Sequence, residues 1–155
     1  MQRSDSLETT FVRGITAGAI GGVLLQLYLI VTIVFIMHQT DAGTILKFIA
    51  SAIMGTNAFA SPISIWIGLF MHYIIAMAWG AGYAFVAASA PQVMSRPVTS
   101  GIAFGVIVWF VMQVIEMTVG IWTMHPINIA NSLVGHVLCF GLPVAYVFAR
   151  WPFSL

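Results

Sequence analysis

A chain of 155 residues with 61% hydrophobic and only 6% charged side chains lacks the polar surface to enclose a water-soluble globule of that size. The formal net charge of +1, five Lys and Arg against four Asp and Glu, leaves no basic face for nucleic acid. One cysteine, Cys139, excludes an intramolecular disulfide, and its place in an apolar run reads as a small buried hydrophobe.

The chain begins with the polar segment MQRSDSLETTFVRG, after which about 25 apolar residues follow, more than the ~7 to 15 of a cleavable signal. Residues 11–37 therefore read as a retained first span. Residues 38–61 contain TILKFIASAIMG, where Ile45, Leu46, Ile49, Ile53 and Met54 recur at helical spacing. At about 12 residues that helix is too short to span, so an interfacial helix is expected over 43–55. Three more spans follow at 62–90, 97–124 and 127–150. The connections PQVMSRP and HPIN are short, which predicts antiparallel neighbours and a single all-α membrane domain, a four-transmembrane-helix up-down bundle.

Arg3, Arg13, Arg96 and Arg150 fall on one side and Lys47 alone on the other, so both termini are expected in the cytoplasm. Trp66, Trp122, Trp151 and Phe153 fit an aromatic belt. Small residues mark close helix contact: Gly14, Gly18 and Gly22, then Ala76, Gly80 and Ala84, then Gly101 and Gly105. ITAGAIGGV (Ile15 to Val23) aligns without gaps on VTSGIAFGV (Val98 to Val106). GLFMH ending at His72 matches SLVGH ending at His136, and AGYAFVA matches VAYVFAR after one gap, so a two-plus-two hairpin repeat with paired histidines is expected.

Polar residues inside spans cost a few kcal/mol unless partnered, which makes them the informative ones. Counted at ~1.5 Å per residue from the span ends, Gln26, His72, Gln113, Glu116 and His136 share one level, about 12 to 16 Å deep. Asn131 and Ser132 lie nearer the outer end. His72 shares a stripe with Gly68, Ala76, Gly80 and Tyr83, and Glu116 shares one with Gly105 and Gln113, so the polar faces point into the bundle.

Three chemistries suit such a layer. Interhelical hydrogen bonding is the plainest. A proton or small-solute relay would use a buried Glu beside two imidazoles. A metal on His72, Glu116 and His136, or a haem between His72 and His136, would use the same ligands. A non-catalytic subunit whose Gly faces assemble with a second copy or a larger membrane complex is the alternative class. His38 and His125 read as solvated loop residues, and Pro143 as a kink that frees a carbonyl one turn back. No nucleophile, phosphate-loop or dinucleotide motif occurs, so an enzyme is not the expected class.

HYIIAMAWGAGYAFVAASAP (His72 to Pro91) and NSLVGHVLCFG (Asn131 to Gly141) resemble the pattern of the YagU-like family, where a His precedes Gly-Tyr and a Gly-His opens the last span. The resemblance covers about Gly68 to Arg150. It implies a bacterial inner-membrane location and importance for His72, Tyr83, Gly135 and His136, and it implies no activity.

Overall fold

The computed structural model describes residues 7–119 and 128–150. Arg3, Trp122, His125, Trp151 and Phe153 lie outside them. The described residues form α1 (Leu7–Leu29), continued by wide π-helical turns over Ile30–Ile36, then α2 (Ala42–Met54) and α3 (Asn57–Ala60). They continue with α4 (Ser64–Ser89), α5 (Pro91–Ser95), α6 (Pro97–Thr118) and α7 (Ile129–Gly135). A second π-helical segment (His136–Gly141) and α8 (Leu142–Arg150) complete the last long helix.

Four helices, Leu7–Ile36, Ser64–Ser89, Pro97–Thr118 and Ile129–Arg150, are long and apolar enough to cross a membrane. At about 1.5 Å per residue the shortest of them reaches ~33 Å, against ~30 Å of hydrocarbon. Helix is the form such segments must take, because hydrocarbon offers backbone N–H and C=O groups no partner outside their own segment. Large apolar side chains face outward on every one of them, Phe35 at 67%, Phe70 at 70%, Phe110 at 60% and Leu138 at 54% exposure, a surface suited to lipid.

Two glycine crossings build the bundle. A Cβ on Gly14 would lie 2.6 Å from the Gly80 carbonyl oxygen, 3.1 Å from Ala81 Cα and 2.5 Å from Ala84 Cβ. One on Gly101 would meet the Gly141 oxygen at 2.9 Å, Leu142 Cα at 2.9 Å and Ala145 Cβ at 3.1 Å. Gly18 abuts Ala76 and Met77 as Gly105 abuts His136 and Val137. Only a missing side chain lets backbones approach this closely, and in lipid close approach is what drives helices together.

The two crossings match with Gly14 on Gly101 and Gly18 on Gly105, one turn away from the gapless sequence alignment, which set Gly18 on Gly101. Ala76 to Gly80 is four residues, whereas His136 to Gly141 is five, and the π-helical segment absorbs the extra one. Pro143 accounts for that segment: it has no N–H to offer Cys139, its ring opposes that carbonyl, and the Leu142 N–H bonds to the Val137 oxygen instead. His136 therefore takes the place of Ala76, not of His72. The expectation of a symmetric histidine pair is corrected by this packing.

α1 packs on α4 and on the last helix, and α6 packs on the last helix. α4 and α6, joined by α5, scarcely approach along most of their backbones. They meet at the α5 end, where the Tyr83 hydroxyl and Ser100 Oγ are 3.0 Å apart and Tyr83 and Phe104 ring centroids 4.9 Å apart. Beyond that point they enclose a cavity.

α2 lies along α4 and covers the other end. Leu46 is seated directly on Gly68, and Ile45 and Ala50 are buried. Asp41 caps α2, accepting from the Thr44 N–H at 3.0 Å and the Thr44 hydroxyl at 2.6 Å. These bonds, the hydroxyl's foremost, hold the Asp41 carboxyl below its ordinary 3.8. A depressed carboxyl stabilises the fold fully above its unfolded value and ceases to as pH falls through the lower folded value. Asp41→Ala is expected to cost about 1 kcal/mol at neutral pH. In thermal melts the gap between variant and parent should close under strong acid; a gap unchanged there would remove the cap from the account.

Candidate functional site

Between α1, α2, α4, α6 and the last helix lies a cavity of about 150 Å³. Leu25, Ile49, Ile75, Val108 and Met112 supply apolar wall, and His72, Glu116, Ser132 and His136 supply the polar groups. Trp79 and Phe140 form its floor toward the α5 end. Beneath them Phe104 bridges the two, with ring centroids 6.2 Å from Trp79 and 5.9 Å from Phe140. Tyr83 and Phe148 add a further aromatic layer, their centroids 5.7 Å apart.

Each imidazole is anchored through one nitrogen. His72 reaches across from α4 and its Nε2–H donates to the Gly22 carbonyl on α1 at 2.9 Å, where Gly22 lets Ala76 of α4 pack close. His136 Nδ1–H donates to the Ser132 carbonyl at 2.8 Å, one turn back in its own helix. A carbonyl can only accept, which assigns the proton to Nε2 in His72 and to Nδ1 in His136. In the neutral rings the remaining nitrogens, His72 Nδ1 and His136 Nε2, are acceptors with no partner among the described residues, and neither is sealed in.

Glu116 enters from α6, where its Oε2 accepts from Gln113 Nε2 at 3.0 Å, a bond between residues one helical turn apart. Gln113 is buried and orients the carboxyl instead of lining the cavity. Glu116 and His72 both lie within electrostatic reach of His136. Three of the five residues placed at one depth from sequence, His72, Glu116 and His136, thus share one cavity, with Gln113 behind them.

Gln26 does not join them. It is 5% exposed, its amide nitrogen and oxygen have no partner among the described residues, and it is not part of the cavity wall. Tyr83 is also remote from the histidines, tying α4 to the start of α6 through Ser100. Asn131 belongs to a separate clasp: it accepts from the Tyr28 hydroxyl at 2.7 Å and donates to Thr32 Oγ1 at 3.0 Å. Thr32 in turn donates to the Tyr28 carbonyl at 2.9 Å, diverting an acceptor from the helical ladder where the π-helical turns begin. Tyr28 and Thr32 escaped the sequence reading. Their spacing of four residues, both polar in an otherwise apolar run, was the available signal.

Among the described residues no three His, Cys, Asp or Glu side chains are placed to hold a metal ion.

The fold and the cavity define a class, a multi-pass helical membrane protein with a polar cluster in a largely apolar cavity between its helices. Within that class the chain belongs to a family of unknown function, DUF6789, whose model matches residues 9–153. No curated protein and no solved structure matches it.

Proposed function

We propose that the protein binds and handles a small solute in the cavity, with His72, Glu116 and His136 as the groups that recognise it. The observation that carries this reading is the convergence of those three side chains, with Ser132, on one cavity whose walls are otherwise apolar. Polar groups are expensive in a bilayer interior, and three of them facing one void are more than interhelical bonding requires.

A simple proton conduit is the weaker reading. Below the histidines stand Trp79, Phe104 and Phe140, and the next polar side chains toward the α5 end are Tyr83 and Ser100 behind that aromatic layer. A relay needs hydrogen-bonding groups in sequence, and this stretch offers none. Proton movement coupled to a solute suits the cavity better, since guest and imidazoles would share hydrogen bonds.

The excess of Arg at the α5 end supports a topology with both termini in the cytoplasm, and the resemblance to the YagU-like family supports a bacterial inner membrane. α2 would then lie at the outer face, between the cavity and the far side.

Proteoliposomes carrying an internal pH dye test the reading. An imposed pH gradient alone should give no leak above empty vesicles, and adding a transported solute should give a signal that His72→Ala and Glu116→Gln reduce about tenfold or more, the scale of a lost positioning bond. A solute-independent leak abolished by the same substitutions would establish the conduit instead.

A further inference from the structure

We propose that the cavity's guest is a hydrophobic molecule of single-ring size bearing an O–H or N–H group, held by donating it to His136 Nε2, with His72 Nδ1 open to a second donor. This rests on the solute reading above and specifies the class of solute.

Size sets the first limit. A void near 150 Å³ with apolar walls is of the order that holds a benzene-sized molecule, and a single water fills about 30 Å³ of it. Leu25, Ile75, Val108 and Met112, with the faces of Trp79 and Phe140, favour an apolar body over a cluster of waters or a hydrated ion.

The hydrogen-bond inventory sets the second. Both imidazoles have spent their one N–H on a backbone carbonyl, so what they present is a lone pair. The Glu116 carboxyl accepts from Gln113 and lies within electrostatic reach of His136. Ser132 is the one hydroxyl among the described residues that line the cavity. A polar wall made mostly of acceptors is matched by a donor: a phenol, an aromatic amine or a ring N–H. An ether, a ketone or a plain hydrocarbon of equal size leaves those lone pairs facing apolar surface, and unpaired groups in a dry site are what make such sites selective.

The two histidines are anchored differently, His72 from α4 on the Gly22 carbonyl of α1 and His136 on the Ser132 carbonyl of its own helix. Their anchors hold each ring against rotation, which leaves little side-chain entropy to lose when a guest arrives.

Saturable binding to purified protein, read by saturation-transfer NMR and by the shift in melting midpoint, tests this with phenol, aniline, anisole and toluene as probes. Phenol and aniline should bind the parent roughly tenfold more tightly than anisole and toluene, the size of one well-placed hydrogen bond. Ala52→Phe, which fills the void from α2 without touching a polar group, should abolish saturable binding of all four. His136→Leu should bring phenol down to the level of anisole. Equal affinity for phenol and toluene, or binding that survives Ala52→Phe, overturns the proposal. Solute-coupled proton movement driven only by compounds without a donor also overturns it, while leaving the solute reading intact; absence of any solute-coupled movement together with selective phenol binding overturns transport and keeps the binding site.

Discussion

Gly80→Leu is expected to prevent assembly of the bundle, whereas Gly82→Ala, two residues along the same helix, leaves it intact. A Cβ at Gly80 would press on the Gly14 carbonyl and lie 2.6 Å from both Cα and N of Gly18, all backbone atoms that cannot swing aside. Relief requires moving α1 off α4, which also pulls Gly22 away from His72 and removes the carbonyl that holds its ring. Overpacking a tight core costs about 1 to 3 kcal/mol when side chains can yield. Backbone against backbone exceeds that, and marginal stability of roughly 5 to 15 kcal/mol leaves little reserve. A Cβ at Gly82 meets nothing within 4 Å, and Ala gains up to about 1 kcal/mol of helix propensity there. Unfolding titrations of the two variants against the parent settle the matter; similar midpoints for Gly80→Leu and Gly82→Ala would mean that α1 and α4 do not cross at these glycines.

Gln26→Met should stabilise the protein by about 1 to 3 kcal/mol, the cost of burying an amide without partners. Gln26 sits one turn beyond Gly22 on the buried face of α1, and both amide atoms lack a partner among the described residues. Methionine keeps the length and flexibility of the side chain and removes its polar atoms, so packing is preserved. Because Gln26 is not part of the cavity wall, the same substitution should leave phenol binding at the parent level. Destabilisation by Gln26→Met would show that the amide has a bonded role in the folded protein, and lost binding would place it at the site.

Depth and azimuth are not equally legible in the polar layer. Rise per residue is constant along a helix, so His72, Glu116 and His136 could be set at one level by counting, and they do line one cavity. Azimuth is harder, because an error of one residue is about 100°. Gln26 has the right depth and a face directed away from the void. Tyr83 shares a stripe with His72 yet lies on another level, bound to Ser100.

The repeat shows the same limit. The glycines of both crossings were visible, but their equivalence was assigned one turn out, and His136 was paired with His72. A π-helical turn adds one residue without changing the composition of the helix, so it leaves no mark in hydrophobic pattern. Pro143 was the local cue, and a kink was expected from it; that the ladder widens ahead of it depends on how closely Gly141 approaches Gly101 and Gly105.

Composition and hydropathy by themselves determined the all-α class with four long apolar helices among the described residues, because hydrocarbon leaves a short chain's spanning backbone few other ways to satisfy itself. They also determined which residues are too polar to be incidental. Tertiary structure alone decided that α4 and α6 part beyond Tyr83, that α2 closes over the gap, and that the two histidines lining the cavity spend their protons on carbonyls. Those outcomes depend on distances between helices, which side-chain volumes at glycine crossings set and which no periodicity along one helix records.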